Sequence, residues 1–250
     1  MSIKPKQGSK REKKDRIKWR GHEIVRIEAF SDAVFAFAVT LLIVSLEVPK
    51  NLTELLNSMR GFIPFGICFT FLFMIWYAQN IFFRRFGVHD IYTVVLNAIL
   101  IFFVLMYVYP LKFLFSAWMI GGGLAYDDTR PSEPIHVFYM YSGGFACIYL
   151  IFALLYLHVL RIKEDLELTA IEMFETKTSL YQNMLIAVVG FLSVIISSFG
   201  VAYLPWAGFI YIIIGPTIAI MHKLREKLFK KKFGLEAVTE GRLAEVAEEI

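Results

Sequence analysis

Long apolar runs alternate with short charged or polar breaks along the chain, and six of the runs approach the length needed to cross a membrane. They cover residues 27–48, 61–83, 91–118, 136–160, 180–204 and 206–222. At about 1.5 Å of rise per helical residue, runs of this size are matched to roughly 30 Å of hydrocarbon. A segment in lipid must satisfy its own backbone hydrogen bonds, so the runs predict an all-α, six-span membrane protein. The breaks divide the chain into a basic N-terminal segment, 1–25, a six-span domain, 26–222, and a C-terminal tail, 223–250. Gly121, Gly122 and Gly123 with DDTRPSEP predict an outer loop, in which the glycines make turns and cradle no phosphate. The stretch RIKEDLELTAIEMFETK, about 161–177, mixes acids and bases and reads as a solvated helical extension. Gly215 and Pro216 predict a kink in the last span.

Composition agrees with the pattern: 57% of the side chains are hydrophobic and 19% charged, which excludes an ordinary soluble domain. An even number of spans places both termini on one side, and the basic residues say which. Lys4 to Arg26 supply a dense positive cluster before the first span, and Lys223 to Lys232 supply another after the last, so both termini are expected in the cytoplasm of a multi-pass cell-membrane protein. Arg84 and Arg85 follow the second span on the same predicted side, whereas the outer loop carries Asp127, Asp128 and Glu133 against one Arg130. The first run is too long for a signal peptide and ends in SLEVPK, without small residues at a cleavage position. The basic tails are expected to meet anionic lipid headgroups, at about 1 kcal/mol per charge, and no nucleic acid. Cys68 and Cys147 fall inside spans without metal-ligand spacing and read as small hydrophobes.

The first span, RIEAFSDAVFAFAVTLLIVSLEVP, holds acids close to its apolar centre. Asp32 to Glu47 is fifteen steps, roughly 22 Å, shorter than the roughly 30 Å of hydrocarbon, so a lipid-facing pose would drag a carboxylate into the bilayer. That costs about 2.5–3.5 kcal/mol at mid-membrane for Asp, and hiding this helix among the others avoids it. At about 100° per residue, Phe37, Thr40, Leu41 and Val44 share a stripe that Arg26 and Phe30 continue. Asp32 lies about 140° from Phe37, toward the subunit's own bundle, where Trp76, Gln79 or Asn80 could donate to it and Ser31 could bridge. Two plainer readings stay open: Ser31 and Asp32 could cap a helix starting at Ala33, and the stripe could be ordinary packing. Asn97 and Pro110 in the third span are expected to face protein.

Arg26, Phe30, Ser31 and Asp32 form R-x-x-x-F-S-D, and with the following AVFAFAVTLL the stretch resembles the first helix of the transmembrane protein 175 family of potassium channels. Trp76 with Gln79 and Asn80 stands where such proteins often have a Trp followed by paired histidines, and Asn97 with Pro110 resembles the family's third helix. The resemblance implies a modestly selective potassium channel whose pore is lined by the first helices. One six-span repeat implies a homotetramer. Phe37 takes the place of an aliphatic constriction, Thr40 that of a threonine linked to selectivity, and Leu41 and Val44 lie above. No cofactor or metal and no enzymatic activity are expected, only permeant K+ and similar monovalent cations. The alternative is a proton- or sodium-coupled secondary transporter, for which Asp32 and Glu47 would be the carboxylates, though neither is mid-span and no internal repeat is visible. A membrane enzyme using His89 with Asp90, His136 or His158 lacks any ligand pair at metal spacing, and the expected faces keep these residues apart.

Overall fold

The computed structural model describes residues 19–21, 26–44, 51–52, 59, 62–119 and 133–233. The basic segment up to residue 18, Glu47, the loop 120–132 and the tail from residue 234 lie outside the described residues. Every described element is helical: α1 (Arg26–Val44), α2 (Phe62–Phe86), α3 (Ile91–Met119), α4 (Glu133–Arg161), α5 (Ala170–Ser197), α6 (Leu204–Phe209) and α7 (Ile214–Phe233). A short 3-10 turn at Val201–Tyr203 leads into α6, and another at Ile210–Ile213 joins α6 to α7, so that 201–233 is one run. Among the described residues, five runs are long and apolar enough to cross a membrane: 62–86, 91–108, 135–161, 170–197 and 201–229. α1 is not one of the five, as its 19 residues include Arg26, Glu28 and Asp32.

Helix boundaries follow local chemistry. Between α2 and α3 the chain turns at Gly87, whose φ of 58° is left-handed, and Asp90 then caps α3. Its carboxylate accepts from the Tyr92 N–H at 3.1 Å and from the Thr93 hydroxyl at 2.6 Å. Thr169 and Glu172 form a reciprocal capping box at the start of α5. That start corrects the expectation for 161–177. Turns occupy 162–167, but α5 begins at Ala170, and Glu172 and Thr176 are fully buried, because the cap and an ion pair hold Glu172 inside. The fifth run therefore starts ten residues earlier than the apolar pattern alone indicated, at 170 instead of 180. The irregularity expected at Gly215 and Pro216 lies just upstream, in the 3-10 turn, and Pro216 falls in the first turn of α7.

α1 packs against α2 and α3; α4 packs against α3 and, most extensively, against α5. Small residues set the close spacing. A Cβ on Gly190 of α5 would lie 2.9 Å from the Ala146 Cβ of α4, and one on Gly144 would lie 2.7 Å from the Tyr107 ring of α3. Ser142 and Ser193 share a buried hydrogen bond of 2.8 Å, and Ser193 also bonds the Ala207 carbonyl at 2.8 Å, stitching α4, α5 and α6 together. The core gathers Phe82, Phe83 and Phe86 of α2, Leu100 and Val104 of α3, and Phe152 and Tyr156 of α4. α7 stands more apart. It is tied to α5 by the Glu175–Arg225 ion pair and by Phe229 against Phe174, at 5.7 Å between ring centroids.

Candidate functional site: the first helix and its polar junction

α1 has two opposite faces. Ser31, Phe35, Ala38 and Leu42, at spacings of four, three and four, point into the bundle and are almost completely buried. Phe30, Ala33, Ala36, Phe37, Thr40 and Ile43 form the other face and are exposed, Phe30 to 60% and Phe37 to 57%. Asp32 and Leu41 flank these stripes and are half-buried. The expected stripe of Phe37, Thr40 and Leu41 therefore lies on or beside the exposed face. Val44 ends α1, and its side chain lies outside the described residues. Arg26 and Phe30 are exposed and line a shallow cleft between α1 and α3 with Ala98 and Ile101.

Asp32 turns away from that face toward α2. Its Oδ1 accepts a hydrogen bond of 2.7 Å from the indole Nε1 of Trp76. The indole is itself oriented by an aromatic ladder on α2. Phe65, Phe69 and Phe73 follow at helical spacing with centroids 6.3 Å apart, and Phe73 meets Trp76 at 5.4 Å. A charged acceptor makes this bond stronger than a neutral pair, about 1.5–3 kcal/mol.

Gln79 does not reach Asp32. Buried to 97%, it donates instead through Nε2 to Oδ1 of Asn97, at 2.5 Å, while Asn97 donates through Nδ2 to the Ser31 hydroxyl at 2.8 Å. Ser31 in turn donates to the Ile27 carbonyl at 2.8 Å, so it links α3 to the backbone of α1 and forms no bridge to Asp32. The relay runs across three helices with no exposed member, which is how polar groups become tolerable in an apolar bundle. Asn80 is half-buried, and among the described residues it is not a partner of Asp32. The capping alternative is overturned: α1 starts at Arg26, which places Ser31 and Asp32 in its interior.

One further outcome departs from the expectations. His158 Nε2 lies 2.9 Å from Asp90 Oδ2, so residues expected on separate faces meet where α4 ends beside the start of α3; the Tyr92 ring lies tilted against the imidazole, 4.5 Å between centroids. Burial pushes the Asp90 carboxyl up, but the Thr93 hydroxyl, His158 and the Tyr92 N–H together outweigh it and leave the group below the usual carboxylate range. No local pattern marks a pair so far apart in sequence. Asn97, which the sequence marks only as a polar residue needing a partner, is the hub of the relay. Among the described residues no cluster of His, Cys, Asp and Glu is suited to a metal ion, and Cys68 and Cys147 are in no disulfide.

Helices of bilayer length, small-residue contacts between them and a buried polar junction define a multi-pass helical membrane protein. The family described as "Endosomal/lysosomal potassium channel TMEM175" matches residues 26–107, a range that contains every member of the junction. A protein of Marivirga tractuosa named "Potassium channel" is 38% identical over 227 residues, 84% of this chain and 90% of the relative. The crystal structure of a threonine-to-alanine variant of the potassium channel MtTMEM175, in complex with a nanobody–MBP fusion protein, is 36% identical with a TM-score of 0.73, over 84% of this chain and 97% of that one. A solved lysosomal potassium-selective channel TMEM175 homolog from Chamaesiphon minutus is more distant, 22% identical with a TM-score of 0.46, over 76% of this chain and 96% of that one. The chain belongs to the TMEM175 family.

Proposed function

We propose that this protein is a modestly selective potassium channel of the cell membrane, a homotetramer of six-span subunits in which four copies of α1 surround the pore. The observation that carries this reading is the division of α1: Asp32 is engaged by Trp76 within the subunit, while Phe30, Phe37 and Thr40 on the other side are exposed and without a partner element among the described residues. A second copy of the same face is the occupant that fits, because Arg26, exposed at the start of that face, is costly to leave against lipid. The carboxylate that a coupled transporter would load and release is already committed to an indole. The basic residues on either side of the span domain support cytoplasmic termini.

Four Phe37 rings around an axis make a narrow apolar neck that holds no stable water column, and the pore closes by dewetting. Opening requires the helices to splay or rotate. K+ then crosses partly dehydrated, which costs it less than the smaller Na+. Thr40 tunes this step. Its hydroxyl hydrogen is given to the Ala36 carbonyl at 2.9 Å, which leaves oxygen lone pairs to face a passing cation. Leu41 and Val44 continue the apolar lining.

Purified protein in a planar bilayer under bi-ionic K+/Na+ conditions tests the proposal. The expected result is a current whose reversal potential favours K+. In Thr40→Ala that preference falls several-fold, the equivalent of about 1 kcal/mol for one lost ligand hydroxyl. No current from the native chain sinks the channel reading, and an unchanged reversal potential in the variant removes Thr40 from ion selection.

A further inference from the structure

The chain just ahead of α1 is held at three points. The backbone N–H groups of Arg20 and Gly21 both donate to the Arg84 carbonyl at the end of α2, at 3.2 and 2.9 Å. The Arg20 guanidinium donates through both terminal nitrogens to the Glu172 carboxylate in the first turn of α5, at 2.8 and 3.1 Å. The Arg84 guanidinium lies over the Trp19 ring, 5.0 Å from its centroid.

Glu172 is a fixed receptor for this arginine. Its side chain is fully buried, and Oε2 also accepts from the Thr169 N–H at 2.9 Å. The bidentate pairing constrains direction as well as distance. Two glycines allow the backbones to touch. A Cβ on Gly21 would lie 2.7 Å from the Phe83 carbonyl oxygen and 2.9 Å from the Arg84 Cα, backbone atoms that cannot swing aside. A Cβ on Gly87 would lie 3.1 Å from the Arg20 carbonyl, at a left-handed φ of 58°. A segment that merely led into a helix would need neither the close approach nor a buried partner.

We infer that Trp19, Arg20 and Gly21 form a clamp that positions the cytoplasmic end of α1 against α2 and α5 and sets how readily the pore opens, without taking part in ion selection. This rests on the reading of α1 as the pore helix. Gly21 stands five positions before Arg26, a reach of at most about 18 Å, so the start of α1 stays close to the clamped point. Any splay or rotation that opens the neck must carry the ends of α2 and α5 with it or pull against them. Arg20, Gly21 and Glu172 are positioning residues: they act on conduction through the pose of α1.

Single-channel recording of the full chain tests the clamp from both sides. Glu172→Gln keeps an acceptor for the Thr169 cap but removes the charged partner of Arg20, while Gly21→Ala forces the segment off α2. Both are expected to change open probability about fivefold or more, in the same direction. Arg20→Gln combined with Glu172→Gln should shift it no further than either alone, because both remove one interaction. Unitary conductance and the K+/Na+ reversal potential should stay at their native values. Trp19→Leu, which loses only the ring contact, should give a smaller shift of the same sign and serves if the others fail to assemble. Native open probability in these variants overturns the clamp, as does a moved reversal potential at unchanged open probability. A native chain that carries no K+ current overturns the channel reading itself, a result separable from variants that conduct and gate as the native chain does.

Discussion

Asn97 and Asp32 handle the same difficulty, a polar side chain among apolar helices, in different ways. The amide is bonded on both sides, to Gln79 and to Ser31, and is fully buried. The carboxylate has one strong neutral donor, Trp76, and remains half-buried. Removing the charge weakens the indole bond but leaves an amide oxygen to accept it, so Asp32→Asn is expected to cost about 1–2 kcal/mol of assembly. The measurement is the yield of tetramer by size exclusion set beside the reversal potential of the channels that survive. Yield should fall more than selectivity changes. Trp76→Phe should reproduce the loss, with the double variant no worse than either single one; normal yield with altered selectivity would mean that Asp32 faces the ion path.

At the level of single elements, helix starts carry much of the specificity that apolar runs lack. The cap on α3 belongs to a carboxylate whose folded-state pKa is held below its ordinary value of 3.8. A depressed carboxylate contributes stability that is fully present above that value and is lost as pH falls through the lower folded pKa. With 39% of its side chain exposed, Asp90 makes a modest contribution. Thermal unfolding in detergent between about pH 6 and pH 3 should therefore show an acid limb that is shallower in Asp90→Asn, while the two proteins differ little in slope above about pH 5. Identical acid limbs would show that the Asp90 cap carries no pH-linked stability. The boundary of α5 teaches the complementary point. A charged stretch looks solvated until one of its acids finds a cap on its own helix and an arginine from a distant segment, after which burial is the lower-energy arrangement.

For the molecule as a whole, the central question is what covers the exposed face of α1. If four copies meet there, a cysteine at Phe37 comes within reach of its neighbours, whereas one at Ile212, exposed on the 3-10 turn before α7, does not. In a chain with Cys68→Ala and Cys147→Ala, a short bifunctional maleimide applied to membranes should link Phe37→Cys into dimers and larger species and leave Ile212→Cys monomeric on a denaturing gel. Equal linking at both positions would count against a shared axis at α1. The close Gly190–Ala146 contact and the serine bridges make α4, α5 and α6 a tight unit, against which α1 joins the bundle through α2 and α3.

The sequence alone determined the class of fold, because bilayer-length apolar runs leave the backbone few alternatives to helices. It also determined that Asp32 and Phe37 sit on different sides of α1, since the turn per residue is a constant of the helix. The motif around Arg26 and Asp32 was enough to indicate the family. It did not determine which donor reaches which acceptor. Trp76, Gln79 and Asn80 lie within little more than one turn of α2, and only the rotation and depth of α2 against α1 and α3 assign the indole to Asp32 and the Gln79 amide to Asn97. The same holds for His158 beside Asp90 and for Arg20 on Glu172, 152 positions apart. Periodicity along one helix specifies a direction from that helix's axis, whereas a contact needs two axes placed relative to each other, and that placement comes from packing the whole bundle.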